Sequence, residues 1–173
     1  MYGYVKVGSA VPKLRVADCV YNKEEILKLV EAAAAKQVRV LSFPELSVTG
    51  YTCADLFFQA PLLHTAEQAI QEIAEATEAL NIFLLIGAPI AVDNQMFNCA
   101  VALYRGKLLG IVPKTHIPNY SEFYEERWFA SADDLLTEEI TYAGQNVPIG
   151  ADLIFAAADF PALKIGVEIC EDL

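Results

Sequence analysis

The chain has 173 residues, 55% of them hydrophobic, a mean hydropathy of +0.34 and a formal charge of −11 from 12 basic and 23 acidic residues. A length of this order fits one domain that buries roughly 70% of its unfolded surface, and the negative field excludes a nucleic-acid polyanion as partner. The longest apolar stretch, Ile82 to Ile90, falls far short of the roughly 20 residues of a membrane-spanning helix.

The N-terminal Met-Tyr-Gly-Tyr-Val-Lys-Val lacks the basic-then-apolar layout of a signal peptide. Cys19, Cys53, Cys99 and Cys170 are widely spaced and form no C-x-x-C pair, so paired zinc ligands and a redox dithiol are unsupported. A cytoplasmic protein with reduced thiols is the simplest reading.

Tyr4 to Ala10 reads as a first strand. Asn22 then stands three residues before Glu25, a capping-box spacing, and Ile26, Leu29, Val30 and Ala33 recur at helical period, which predicts a helix over 22–36. Val38 to Phe43 is a buried strand ending at Pro44. A second helix is expected between Pro61 and Leu80, with Ala66, Ala69, Ile70, Ile73 and Leu80 on one face. Ile82 to Ala88 is another buried strand, and Met96 to Tyr104 and Lys107 to Val112 form a hairpin through Arg105-Gly106. Lys114 to Asp134 is polar and aromatic without period, an ordered loop of the kind that carries function. Asp152 to Ala156 and Leu163 to Ile169 are expected as the last two strands. The alternation predicts an α/β fold, and the hairpin makes its sheet mixed. Because the chain stops at Leu173, just past a buried strand, it is expected to be a piece of a longer domain.

Three strand ends carry reactive side chains: Glu45 after Phe43-Pro44, Lys114 after Val112-Pro113, and Cys170 after Glu168-Ile169. Groups at strand ends can converge on one crevice. If these three meet, the carboxylate takes the thiol proton and later gives it to a departing amine, the ammonium stabilises an oxyanion, and an amide is hydrolysed through a thioester. Each also has a plain structural reading: Cys170 as inert packing, Glu45 as the cap of a turn, Lys114 as a solvated loop charge. The residues alone leave both readings open. His64 and His116 are too few and too far apart for a metal cluster, no phosphate-binding glycine loop or G-x-S-x-G is present, and the acidic neighbours of Tyr120, Phe123, Tyr124, Trp128 and Phe129 argue against base stacking.

Phe-Pro-Glu-Leu-Ser-Val-Thr-Gly-Tyr (43–51), Pro-Lys-Thr-His-Ile-Pro-Asn-Tyr (113–120) and Glu-Ile-Cys-Glu-Asp-Leu (168–173) resemble, in order, the three motifs of the nitrilase superfamily of carbon-nitrogen hydrolases. Pro-Asn-Tyr followed by Glu-Phe-Tyr-Glu (122–125) and Arg-Trp-Phe (127–129), with Val-Ala-Asp-Cys near the start, is similar to the amidase domains of bacterial glutamine-dependent NAD+ synthetases. The resemblance implies a four-layer α-β-β-α sandwich, truncated here after the nucleophile strand. It implies Glu45 as general base and acid, Lys114 as oxyanion stabiliser and Cys170 as nucleophile, with Glu125, or as a weaker rival Glu126, as a second glutamate beside the lysine. Tyr51, Tyr120 and Glu171 are implied to shape a glutamine pocket. Ammonia would pass to a covalently linked synthetase domain, absent from this chain, where ATP and Mg are expected; no cofactor or metal is expected here. Homo-oligomers are implied as well. A free-standing amidase or carbamoylase, and a non-catalytic assembly module of the same fold, stay open beside this reading.

Overall fold

The computed structural model describes residues 3–173, so Met1 and Tyr2 of the N-terminal segment read above lie outside the described residues. Five strands, β1 (Val7–Ser9), β2 (Val40–Ser42), β3 (Phe83–Val92), β4 (Gln95–Tyr104) and β5 (Lys107–Pro113), form one sheet in that spatial order. β1, β2 and β3 are parallel, and β3, β4 and β5 are antiparallel. The helices α1 (Cys19–Ala35) and α2 (Ala60–Ala76) pack on each other, and α2 packs on β3. The expected mixed α/β architecture is therefore present.

The strands are apolar without alternation because both faces of the sheet are covered. Leu84, Ile86, Ala88 and Ile90 of β3 join Ile26 and Val30 of α1 and Ala66, Ile70 and Ile73 of α2 in one core. On the opposite face Phe83, Ala102 and Val112 pack with Phe155, whose ring centroid lies 5.4 Å from that of Phe83.

Several boundaries differ from expectation, each for a local reason. β1 is shorter than Tyr4–Ala10, being paired only where β2 runs beside it, Val7 to Ser9. α1 starts earlier than 22, at Cys19, because Asp18 is its cap and accepts from Tyr21 N at 3.1 Å. Asn22 is no cap. Fully buried, it donates from Nδ2 to Arg15 O and Val48 O and accepts from Arg15 N, all within 2.9 Å. α2 stops at Ala76, where Thr77 returns its hydroxyl to Ile73 O at 2.8 Å; Leu80 packs on the core from the following turn.

β3 runs past Ala88 to Val92 and pairs with β4 through Asp93-Asn94, at φ 48° and 64°, the two positive φ values of a type I′ turn. Pro89 is tolerated there because β2 pairs with β3 only as far as Leu85, leaving an open edge at residue 89. A further hairpin, β6 (Glu139–Tyr142) and β7 (Gln145–Pro148), turns at Ala143-Gly144 and packs against β5. The last two expected strands shrink to β8 (Phe155–Ala156) and β9 (Lys164–Ile165), a short antiparallel ribbon outside the main sheet. Among the described residues no helix is long and apolar enough to cross a membrane.

Candidate active site

Glu45 sits in a tight turn where β2 ends. Phe43 N still donates to Leu85 O at 2.9 Å, and then Pro44, which has no N–H, ends the ladder. Ser47 N returns to Pro44 O at 3.2 Å, and Val48 N reaches Gly87 O at 3.1 Å. Leu46, wholly buried, is held at φ 53°, a left-handed conformation that a leucine adopts only when its surroundings impose it. The Glu45 carboxylate is thus aimed by an over-determined backbone.

Lys114 leaves the end of β5, its N–H bonded to Asn98 O at 2.8 Å. Its side chain is fully buried, with Nζ 3.1 Å from Glu45 Oε2 and 3.0 Å from Glu125 Oε2. Burial works against its charge, but hydrogen bonds and attraction from Glu125 and Glu45 more than offset this and hold its pKa above the usual lysine value. Glu125, 2% exposed, opens a 3₁₀ turn over Glu125–Arg127 and accepts from the Tyr51 hydroxyl at 2.6 Å. Burial, then that carboxylate, raises the Tyr51 pKa and keeps its proton in place. It is Glu125 that meets the lysine; Glu126 turns outward to accept from Asn119 Nδ2 at 2.7 Å.

Cys170 stands at φ 53° in a 3₁₀ turn over Cys170–Asp172 and is exposed. Beside it, the Tyr120 hydroxyl donates to the Glu171 carboxylate, 2.7 Å from Oε1 and 2.8 Å from Oε2. The Asp172 carboxylate of the same turn bonds the backbone amides of Thr115 and His116, which directly follow Lys114, so the Cys170 turn lies beside the Lys114 loop. Glu45, Lys114, Glu125 and Tyr51 form one hydrogen-bonded cluster, and Tyr120 and Glu171, next to Cys170 in its turn, form a second pair. The other cysteines are buried: Cys19 is pushed up to about 12, and burial raises Cys53 and Cys99 as well.

Three residues that the sequence reading did not single out complete the site. Asn98, fully buried, donates from Nδ2 to Glu45 Oε2 at 3.0 Å. Its signal was faint: one amide inside an apolar strand. Asp55 binds Arg127 through two contacts of 2.7 Å and accepts from Trp128 Nε1 at 2.9 Å, pinning the loop that carries Glu125; those bonds hold its carboxyl well below the usual range. Asp172 accepts from the backbone amides of Thr115 and His116 at 3.0 and 2.7 Å, just beyond Lys114. Neither aspartate was marked by any spacing in the sequence. Among the described residues, no three His, Cys, Asp or Glu side chains are grouped as metal ligands.

The carbon-nitrogen hydrolase family model matches residues 6–173. The glutamine-dependent NAD(+) synthetase of Mycobacterium leprae is 37% identical over 171 residues, 99% of this chain and 25% of that protein. The crystal structure of a glutamine-dependent NAD(+) synthetase from Cytophaga hutchinsonii superposes with a TM-score of 0.87 at 31% identity, covering 98% of this chain and 28% of that one. An amidase from Nesterenkonia sp. shares the fold, with a TM-score of 0.59 at 19% identity over 80% of this chain and 52% of its own. The chain thus spans about a quarter of the length of the synthetases it matches. With the family model aligned along nearly its whole length, the chain belongs to the carbon-nitrogen hydrolase family.

Proposed function

We propose that this chain carries the active site of a cysteine glutaminase that supplies ammonia to NAD+ synthesis. The observation that carries the reading is Lys114, fully buried between Glu45 and Glu125: a cation held this tightly is a preorganised electrostatic device. In the mechanism, Cys170 Sγ attacks the amide carbonyl of glutamine while Glu45 takes the thiol proton. Lys114 stabilises the oxyanion, and Glu125 with Tyr51 holds Lys114. The C–N bond breaks as Glu45 gives its proton to the departing ammonia, leaving a thioester. Glu45 then takes a proton from an attacking water, the C–S bond breaks, and the proton returns to the cysteine sulfur with release of glutamate. Tyr120 and Glu171, beside the nucleophile, shape the glutamine pocket.

On the same reading the ammonia passes to a covalently linked synthetase domain, where ATP and Mg act in amidating nicotinic acid adenine dinucleotide. The relatives support this, being glutamine-dependent NAD(+) synthetases of which this chain matches about a quarter. The protein works in the cytoplasm as a homo-oligomer, for which the exposed Val7, Val11 and Val16 offer apolar contact surface.

The test is ammonia release from glutamine by the full-length protein and its Cys170→Ala variant. Release that vanishes in the variant is expected. No release, with hydrolysis of simple amides or carbamoyl compounds instead, moves the reading to a free-standing amidase; inertness toward all of them moves it to an assembly module.

A further inference from the structure

The Cys170 turn and the Lys114 loop are 56 residues apart in sequence, and one side chain joins them. The Asp172 carboxylate, 11% exposed, accepts from Thr115 N at 3.0 Å and His116 N at 2.7 Å through Oδ1, and from Ile169 N at 3.3 Å through Oδ2; Oδ1 also lies 3.3 Å from His116 Nδ1. In return Asp172 N donates to Ile169 O at 3.2 Å, so the turn is closed from both directions. Thr115 and His116 directly follow Lys114. Ile169 directly precedes Cys170, whose φ of 53° is a conformation L side chains avoid.

We propose that Asp172 is a positioning residue: its carboxylate holds Cys170 in the left-handed turn and fixes the thiol in register with the Lys114 ammonium. The inference rests on the reading of Cys170 as nucleophile. Its physical basis is that an ionised carboxylate makes stronger hydrogen bonds to backbone amides than a neutral acceptor does, and that these bonds tie two separate loops at their reacting ends. A nucleophile free to wander relative to the oxyanion stabiliser loses rate, while Glu171 of the same turn keeps its own bond to the Tyr120 hydroxyl, so substrate binding is spared.

The test compares Asp172→Ala, Asp172→Asn and Cys170→Ala in the full-length protein, with glutamine as substrate. Asp172→Ala is expected to lower kcat by about 10²-fold with KM changed by less than about threefold, and Asp172→Asn, which keeps one acceptor oxygen, to recover about tenfold of that loss. A purely structural residue would reduce kcat only in step with the folded fraction seen by circular dichroism. Wild-type kcat in folded Asp172→Ala, or a loss confined to KM, overturns the inference. If Asp172→Ala does not fold, Asp172→Asn decides: a kcat about tenfold below wild type at equal folded fraction supports it, and an unchanged kcat overturns it. Activity surviving in Cys170→Ala would instead sink the nucleophile reading, an outcome recognisable whatever the Asp172 variants do.

Discussion

Gly87 of β3 leaves the space into which the Glu45 turn folds. A methyl group on Gly87 would stand 2.3 Å from Leu46 N, 2.5 Å from Pro44 O and 2.8 Å from the carbonyl carbon of Glu45. All three are backbone atoms, which cannot rotate aside as a flexible side chain would. Gly87→Ala should therefore push the Glu45 turn off β3. We expect a stability loss of about 1–3 kcal/mol from overpacking, read by urea denaturation, and a fall in glutamine hydrolysis of about 10²-fold from displacement of the carboxylate. A variant with wild-type stability and rate would mean that the turn is free to move and that its close approach does not aim Glu45.

Asn98 faces Glu45 from β4. Its Nδ2–H is a neutral donor to Oε2, while its own Oδ1 is buried with no partner. Asn98→Ala removes a hydrogen bond to a charged group, a cost of about 1.5–3 kcal/mol. Asn98→Asp goes further, setting a second carboxylate against the first, a like-charge contact in a partly buried site. The expected order of activity near pH 7 is wild type, then Ala, then Asp, measured as kcat for glutamine hydrolysis. An Asp variant as active as the Ala variant would show that Asn98 fills space without orienting Glu45.

These two residues also show where sequence reading stops. Glu45 and Lys114 were visible as candidates because each follows an apolar strand and a proline, Cys170 because it follows the expected strand 163–169, which shrinks to Lys164–Ile165, and Glu125 only through the resemblance to the nitrilase motifs. The mixed sheet followed from the apolar runs and the Arg105-Gly106 turn. Gly87 and Asn98 were hidden because their importance is set by what crosses over them, the segment 44–48, some forty or fifty residues earlier in sequence. Asn22 misled for the opposite reason: its local capping spacing was genuine, but Asp18 caps the helix and the amide is used to join Arg15 and Val48. The hairpin β6–β7 was missed because Ala143-Gly144 lacks the usual Asn-Gly or Asp-Gly signature. Its positive φ values of 50° and 71° put an alanine where asparagine is commoner.

Lys114→Met removes the cation from between two carboxylates that are only 17% and 2% exposed. Breaking a buried ion pair by deleting one partner costs about 3–5 kcal/mol, because the remaining charges stay desolvated. The triple variant Glu45→Gln, Lys114→Met, Glu125→Gln removes those charges and should recover most of the loss, with activity abolished in both. Denaturation of the two variants side by side checks this. Equal instability would place the cost in lost packing of the lysine stem and not in the uncompensated carboxylates.

The four thiols should separate by reactivity and by pH. Cys170 is exposed, whereas Cys19, Cys53 and Cys99 are buried. Burial, then the nearby Cys53, pushes Cys19 from 9.0 up to about 12, and burial raises Cys53 and Cys99 as well. The thiolate is the reacting form, so iodoacetamide at pH 8 should label Cys170 first in the native protein and all four at comparable rates in urea, as read by mass spectrometry of the peptides. The sign of the stability effect follows from the same shift. A group whose pKa is raised by folding binds more protons in the native state, so its contribution is whole below the unfolded value and falls as pH rises toward the folded one. For Cys19 that window runs from 9.0 to about 12. Stability measured in urea should therefore drop between pH 8 and pH 10.5, and less steeply in Cys19→Ala, which has no proton there to lose. Labelling of Cys19 as fast as Cys170 at pH 8, or an identical pH slope in Cys19→Ala, would show that the thiol is not held neutral by the fold.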